Sequence, residues 1–281
     1  MDRLSLSFSF TRVRAHIPWT WRRLNRRHSL SYYCGNITLS FSSSSSSQSS
    51  SLLGALSTKQ KEQVSLYIDT LLDWNQRMNL TGVTEWSEVV KRHVEDSLSI
   101  LPVIRERCSA VTSTVKLVDV GSGAGLPGLI MAIACPDWHF TLLDSMHKRC
   151  LFLEHAIRVS GLLNVQVVCA RAESVGQNVE FREAFDVAVA RAVAEMRILA
   201  EYCLPLVRVG GLFVAAKGYD PQEEVENAKK AIRVLGASVL QSCCVESKGP
   251  YGQRTAVVCM KDSPTPKKYP RQPGLPAKKP L

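Results

Sequence analysis

Gly121, Gly123 and Gly125 follow directly on Val118-Asp119-Val120, and Asp144 closes a second apolar run 23 residues after the first glycine. A backbone that turns on glycine lets a nucleotide-like cofactor approach with no side chain in between. An acid at the end of the next strand can accept hydrogen bonds from both hydroxyls of a ribose. The spacing is not the dinucleotide fingerprint, in which the third glycine falls one residue later than Gly125. S-Adenosylmethionine has no pyrophosphate to cradle, so the tighter loop suits that cofactor. Asp144 alone would serve a nicotinamide cofactor as well, or would cap a helix opening at His147; the glycine loop at this distance favours the ribose. Ala172-Glu173 follows a third apolar run, where such a fold places groups against an adenine. Arg191, after a fourth, falls at the crevice outside the strand ends, as a cofactor or substrate contact or as a plain exposed arginine.

The acceptor is narrowed by what these positions lack. Enzymes that methylate the amino groups of adenine or cytosine often carry Asn/Asp-Pro-Pro-aromatic after the fourth strand, where this chain has Ala190-Arg191-Ala192-Val193. Cytosine C5 chemistry needs a nucleophilic Cys near the base, and Cys135-Pro136 ends a helix away from the expected pocket. A ring nitrogen such as guanine N7 already presents a lone pair, so its methylation needs orientation and electrostatics more than a dedicated base.

Positioning these residues requires alternating strands and helices, and the sequence supplies them. Apolar runs over Val115–Val120, Phe140–Asp144, Val165–Cys169, Phe185–Ala190 and Gly211–Ala216 are predicted strands, with helices at Leu126–Ala134, His147–Ser160, Val193–Leu206 and Gln222–Leu235. This pattern predicts an α/β fold with a doubly wound, mostly parallel sheet. Ser238–Val245 and Arg254–Met260, joined by a turn at Lys248–Gly252, would add an antiparallel edge hairpin. Ahead of the sheet, Ser57 caps a helix with Val64, Tyr67, Ile68, Leu71 and Leu72 at helical spacing, and a second helical stretch runs Glu85–Arg92 into Asp96–Arg105. The expected organisation is a segment 1–51, a helical cap 52–110, a core 111–262 and a tail 263–281.

The chain has 281 residues, 45% of them hydrophobic, and a net charge of +10. No run approaches the roughly 18 apolar residues of a membrane span, so no membrane association is expected. Residues 1–51 hold seven Arg against a single acid, Asp2, and are rich in Ser, with an unbroken run from Ser42 to Ser47. An Arg-rich, Ser-rich, acid-poor start reads as an organelle transit peptide, for a chloroplast rather than a mitochondrion, or else as a basic arm for nucleic acid. Nine cysteines form no C-x-x-C pair, so mostly buried, reduced thiols and no metal site are expected. The tail interleaves six prolines, from Pro264 to Pro280, with Lys267, Lys268, Arg271, Lys278 and Lys279. It reads as a segment that cannot be helix or central strand, either solvated or laid along a nucleic-acid backbone.

Over roughly Leu52 to Leu281 the chain resembles the RsmG (GidB) family of small-subunit ribosomal RNA guanine-N7 methyltransferases. The resemblance lies in Trp74-Asn75-x-x-Met78-Asn79-Leu80-Thr81, His93-x-x-Asp96-Ser97-Leu98, the loop Asp119–Gly128, and Leu142-Leu143-Asp144-Ser145-x-x-Lys148-Arg149. It continues in Arg171-Ala172-Glu173, Arg191-Ala192, Lys217-Gly218 and the ending Tyr269-Pro270-Arg271-x-x-Gly274-x-Pro276-x-Lys278-x-Pro280-Leu281. The resemblance implies the class I S-adenosylmethionine-dependent methyltransferase fold. It implies a cofactor site at Gly121, Leu126, Ala172, Glu173 and Arg191 with Asp144 on the ribose, to which the loop reading adds Gly123 and Gly125. It implies that Asn79, His93, Asp96 and Ser97 line the mouth near the methyl group, with Asn79, His93 and Arg191 as catalytic candidates; packing between cap and core is the plainer role for Asn79 and His93. Lys148, Arg149, Lys217, Lys267, Lys268 and Arg271 would meet phosphates. The implied partner is small-subunit ribosomal RNA or an assembling small subunit, met by a monomer. Ala190 stands where the family often has Ser, and residues 1–51 have no counterpart in its bacterial members, which points to import into an organelle with bacterial-type ribosomes. The other readings are a methyltransferase of this fold with another acceptor, a nicotinamide-dependent oxidoreductase, and a non-catalytic RNA-binding relative.

Overall fold

The structure is a computed structural model that describes residues 51–108, 114–249 and 252–281. The basic, serine-rich stretch, apart from Ser51, and the turn at 250–251 lie outside the described residues.

Helix α1 (Thr58–Met78) opens on a reciprocal cap: Gln60 N donates to Ser57 Oγ at 3.3 Å and Ser57 N donates to Gln60 Oε1 at 2.9 Å. Its Val64, Tyr67, Ile68 and Leu71 are fully buried, one face of a helical repeat. It stops at Asn79, which takes the left-handed backbone (φ 54°) that Asn tolerates at a helix end. The second helical stretch is broken into α2 (Trp86–Val89), a π-helical turn (Val90–Val94), α3 (Glu95–Leu98) and α4 (Leu101–Cys108). A π turn displaces side chains from the regular face and recurs at functional sites; here it carries His93.

The core follows as β1 (Lys116–Val120), α5 (Gly128–Ala134), β2 (His139–Asp144), α6 (His147–Val159), β3 (Val165–Cys169), α7 (Ala172–Gln177), β4 (Phe185–Arg191), α8 (Met196–Cys203), β5 (Val207–Lys217), α9 (Gln222–Val234), β6 (Ala237–Gly249) and β7 (Gly252–Lys261). One seven-stranded sheet has the order β3-β2-β1-β4-β5-β7-β6, parallel except where β7 pairs with β5 and with β6. The predicted doubly wound sheet and edge hairpin are both present, with β7 inserted inside β6.

Side-chain alternation builds a core on each face of the sheet. Leu117, Leu142, Val187, Val189 and Val214 join α1, α5 and α6, while Val118, Val120, Leu143, Ala188 and Phe213 join α8 and α9. The helical cap therefore shares a core with one face of the sheet. Of the cysteines described, Cys135, Cys150, Cys203 and Cys259 are buried, Cys108 and Cys243 are half-buried, and Cys169 and Cys244 are exposed.

The tail departs furthest from its prediction. It is neither solvated nor an extended arm, and it ends in a short helix, α10 (Leu275–Lys278), with Pro276 in the first turn, where its missing N–H costs nothing. Tyr269 and Pro276 are buried. Arg182 holds the tail backbone, donating to Thr265 O at 2.7 Å and Tyr269 O at 2.8 Å. Lys261, fully buried, donates to Leu204 O, Val207 O, Thr265 Oγ1 and Glu183 Oε1. Proline-rich composition forbids a long helix; it does not forbid docking, because carbonyls remain available and prolines reduce the entropy lost on ordering.

Candidate active site

The strand ends β1, β2 and β4 and the start of α7 enclose a crevice of ≈ 480 Å³. Gly121, Asp144, Ala172, Glu173, Tyr202 and Ala277 line it. Gly121 has φ 75°, and a Cβ there would come within 2.7 Å of Val193 Cγ2, another lining atom. The bare backbone thus keeps the crevice open, as a cofactor loop requires. Ala192, also in the wall, holds a left-handed φ of 54° without being glycine, a strain of the kind found where function fixes a turn.

Asp144 is 4% exposed and holds the start of α6, the plainer of its two predicted roles. Its Oδ2 accepts from Gly123 N at 2.9 Å, pinning the glycine loop, and its Oδ1 accepts from Met146 N at 2.8 Å at the start of α6. Each carboxylate oxygen retains a lone pair, and the residue lies in the crevice wall. Gly121, Asp144, Ala172 and Glu173 are brought together as predicted. Gly123 instead serves the loop through Asp144, while Gly125 and Leu126 are buried in the packing behind it.

Arg191 stands next to the crevice, but its guanidinium is committed elsewhere. Nη1 donates to Asp96 Oδ2 at 2.8 Å, and the other Asp96 oxygen takes Ser247 Oγ at 2.8 Å and Arg254 Nε at 3.2 Å. Asp96, 3% exposed, therefore joins α3 of the cap to β4 and to the β6–β7 hairpin. Arg191 is positioned by that cluster; it does not line the crevice wall.

The motif Trp74–Thr81 is a latch. Asn75 and Thr81 exchange two hydrogen bonds of 2.9 Å, Asn75 Nδ2 to Thr81 O and Thr81 N to Asn75 Oδ1. His93 Nε2 lies 2.7 Å from Thr81 Oγ1 and Nδ1 lies 3.0 Å from Arg92 O. A carbonyl can only accept, so Nδ1 carries the proton and Nε2 accepts from the threonine hydroxyl. Burial first, then the Arg191 guanidinium, lowers the His93 pKa to about 4. Both nitrogens are engaged, so His93 packs the cap and offers no free base. Its imidazole is expected to show no titration in NMR spectra between pH 7.5 and 5.5; a midpoint near pH 6.5 would contradict this environment. The sign for stability follows: an unfolded His takes up a proton near pH 6.5 that the folded one refuses, so this residue costs stability as pH falls from there toward 4.

Asn79 does not enter the crevice. With Met78, Met146, Lys148 and Arg149 it lines a second cleft of ≈ 470 Å³ between the end of α1 and the start of α6. Arg149 belongs to both clefts and lies 3.7 Å from Asp144 Oδ2. Lys148 is exposed. Among the predicted phosphate contacts, Lys267 and Lys268 are exposed on the docked tail. Two others are corrected. Lys217 Nζ donates to Ala194 O at 2.8 Å and to Glu224 Oε1 at 2.6 Å with its side chain 12% exposed, and Arg271 is bidentate on the buried Glu201. A cation already paired and withdrawn from solvent is spent on the fold.

Two participants carried no local signal. Tyr67, fully buried, donates to Ala124 O at 2.7 Å and so fastens the cap to the glycine loop. Asp119, also fully buried, accepts from Gly128 N at 2.9 Å through Oδ2, while Oδ1 has no partner, and burial raises its pKa to about 7. Asp119 stands in the strand before the loop, yet nothing in its spacing says that its side chain turns inward beneath the turn.

A parallel sheet ending in an antiparallel hairpin, with a bare glycine turn opposite an acid at the next strand end, defines a class I S-adenosylmethionine-dependent methyltransferase. The profile of the GidB family, described as rRNA small subunit methyltransferase G, matches residues 60–255. The chain is 41% identical over 226 residues to the ribosomal RNA small subunit methyltransferase G of Moorella thermoacetica, covering 80% of this chain and 92% of that one. It is 43% identical over 227 residues to the protein of that name from Brevibacillus brevis (81% and 93%), and 44% over 226 residues to that from Lactobacillus helveticus (80% and 93%). The chain belongs to the GidB family.

Proposed function

We propose that this protein transfers the methyl group of S-adenosylmethionine to N7 of a guanine in the small-subunit ribosomal RNA of an organelle, acting as a monomer. The observation that carries this reading is Arg149, which stands in the wall of the crevice and of the cationic cleft beside it, so that cofactor and RNA would meet across one side chain. S-Adenosylmethionine supplies an activated methyl group when bound. Asp144 would hold its ribose through the lone pairs left free, and Gly121 would leave the backbone bare alongside it.

Orientation of the guanine is the remaining task, and Lys148 and Arg149 would perform it through RNA phosphates. The neutral, fully engaged His93 supports a ring nitrogen as acceptor, because N7 has no proton to remove. Lys267→Ala with Lys268→Ala should weaken RNA binding and reduce the slope of log affinity against log salt by about 1.4, at ~0.7 per cation for a single strand. A parallel loss of S-adenosylmethionine binding would mean that these lysines act through the fold.

The organelle is proposed from residues 1–51, whose composition suits a chloroplast transit peptide, with a mitochondrion as the alternative. Reverse-transcription mapping of N7-methylguanine in organellar ribosomal RNA, with and without this protein, tests the whole reading. An unchanged map would overturn the activity, and a mature protein confined to the cytosol would overturn the location.

A further inference from the structure

We propose that the C-terminal segment is part of the cofactor site: α10, through Ala277, forms one wall of the crevice, and Glu173 and Glu201 hold it there as positioning residues. The proposal rests on reading that crevice as the S-adenosylmethionine site. Ala277 lines the crevice together with Glu173 of α7 and Tyr202 of α8. It lies about 150 residues along the chain from Gly121, so only docking of the tail brings it there.

Two buried carboxylates create the docking. Glu173, 2% exposed, accepts from Gly274 N at 2.8 Å through Oε1, directly before α10 begins. Glu201, fully buried, accepts from Arg271 N at 2.8 Å, from Nε at 2.9 Å and, through its other oxygen, from Nη2 at 2.6 Å. One turn along α7 from Glu173, Gln177 Nε2 donates to Pro270 O at 2.6 Å. Between them Gly176 packs so closely on the tail that a Cβ there would fall 2.8 Å from Pro270 Cγ. The helix whose first turn lines the crevice is thus bonded to the tail at both ends, and its glutamate, expected beside an adenine, spends one oxygen holding the wall.

The arrangement makes the crevice shape depend on α10. The tail's role extends beyond carrying cations: Lys267 and Lys268 face solvent, while Arg271 and Gly274 tie the same segment inward.

The test uses the full chain and S-adenosylhomocysteine as the probe. Ala277→Trp, measured by isothermal titration calorimetry, is expected to bind the probe at least tenfold more weakly than the unaltered protein, with the ligand-free melting temperature unchanged. In the unaltered protein, the Lys278 and Lys279 amides, which bond to Gly274 O and Leu275 O, are expected to exchange hydrogen more slowly once the probe is bound. Equal affinity in the variant, or unchanged exchange at those amides in a protein that binds the probe, overturns the proposal. If the variant does not fold, the exchange measurement decides alone. Failure of the unaltered protein to bind the probe would instead overturn the cofactor reading, and the proposal with it.

Discussion

Asp144→Ala is expected to weaken S-adenosylhomocysteine binding at least a hundredfold. The substitution removes the hydrogen bonds proposed for the ribose, each worth about 1.5–3 kcal/mol when the acceptor is charged. It also strips the partners from Gly123 N and Met146 N, so the glycine loop and the start of α6 lose the anchor they share. A hundredfold corresponds to about 2.7 kcal/mol, within reach of one such bond together with a loosened loop. Asp144→Asn keeps one acceptor oxygen but presents an amide to one of the two backbone donors, so its affinity should fall between that of Ala and the native residue. Titration calorimetry distinguishes these outcomes. An alanine variant binding within threefold of the native protein would remove Asp144 from the cofactor site and leave it as the cap of α6.

Asp96→Ala should destabilise the fold by about 3 kcal/mol, the lower end of the range for breaking a buried ion pair. The lower end applies because the Arg254 side chain is 30% exposed and can regain water, whereas that of Arg191 is 10% exposed and cannot readily do so. Three elements distant in sequence lose their common partner, so methyl transfer should fall with stability as Arg191 and the β4 turn beside the crevice lose their position. Asp96→Asn retains the shape and one acceptor and should lie between. Urea unfolding gives the stability and single-turnover methylation the activity. A loss below 1 kcal/mol would mean that solvent already reaches both arginines.

Much of the core was legible because strands and helices buried in a parallel sheet have strong local patterns. The run from β1 to α6 and the terminal hairpin appear within a few residues of their predicted bounds, since apolar runs, Gly121 and Asp144 act locally. Helix α7 was missed: Ala172–Gln177 is a six-residue helix with no amphipathic repeat long enough to detect. The functional assignments followed the same division. Gly121 and Asp144 reach the crevice because the turn and the strand end that place them are local. Arg191, Lys217 and Arg271 looked like cations free for ligand or RNA, and each found a carboxylate 70 or more residues away or across a nearby loop.

The amino-acid sequence by itself determined the doubly wound sheet with its edge hairpin, the glycine turn opposite Asp144, and through its separated motifs the family. Those properties depend on periodicity, backbone freedom and residue spacing, all of which a chain displays before it folds. Only the tertiary structure decided which charges remain available and what completes the crevice. It paired Arg191 with Asp96 and Arg271 with Glu201, left Lys148, Lys267 and Lys268 exposed, and carried a proline-rich tail back to set Ala277 in the wall. The physical reason is that burial of a carboxylate selects its partner by proximity in space, and linear sequence contains no measure of that distance.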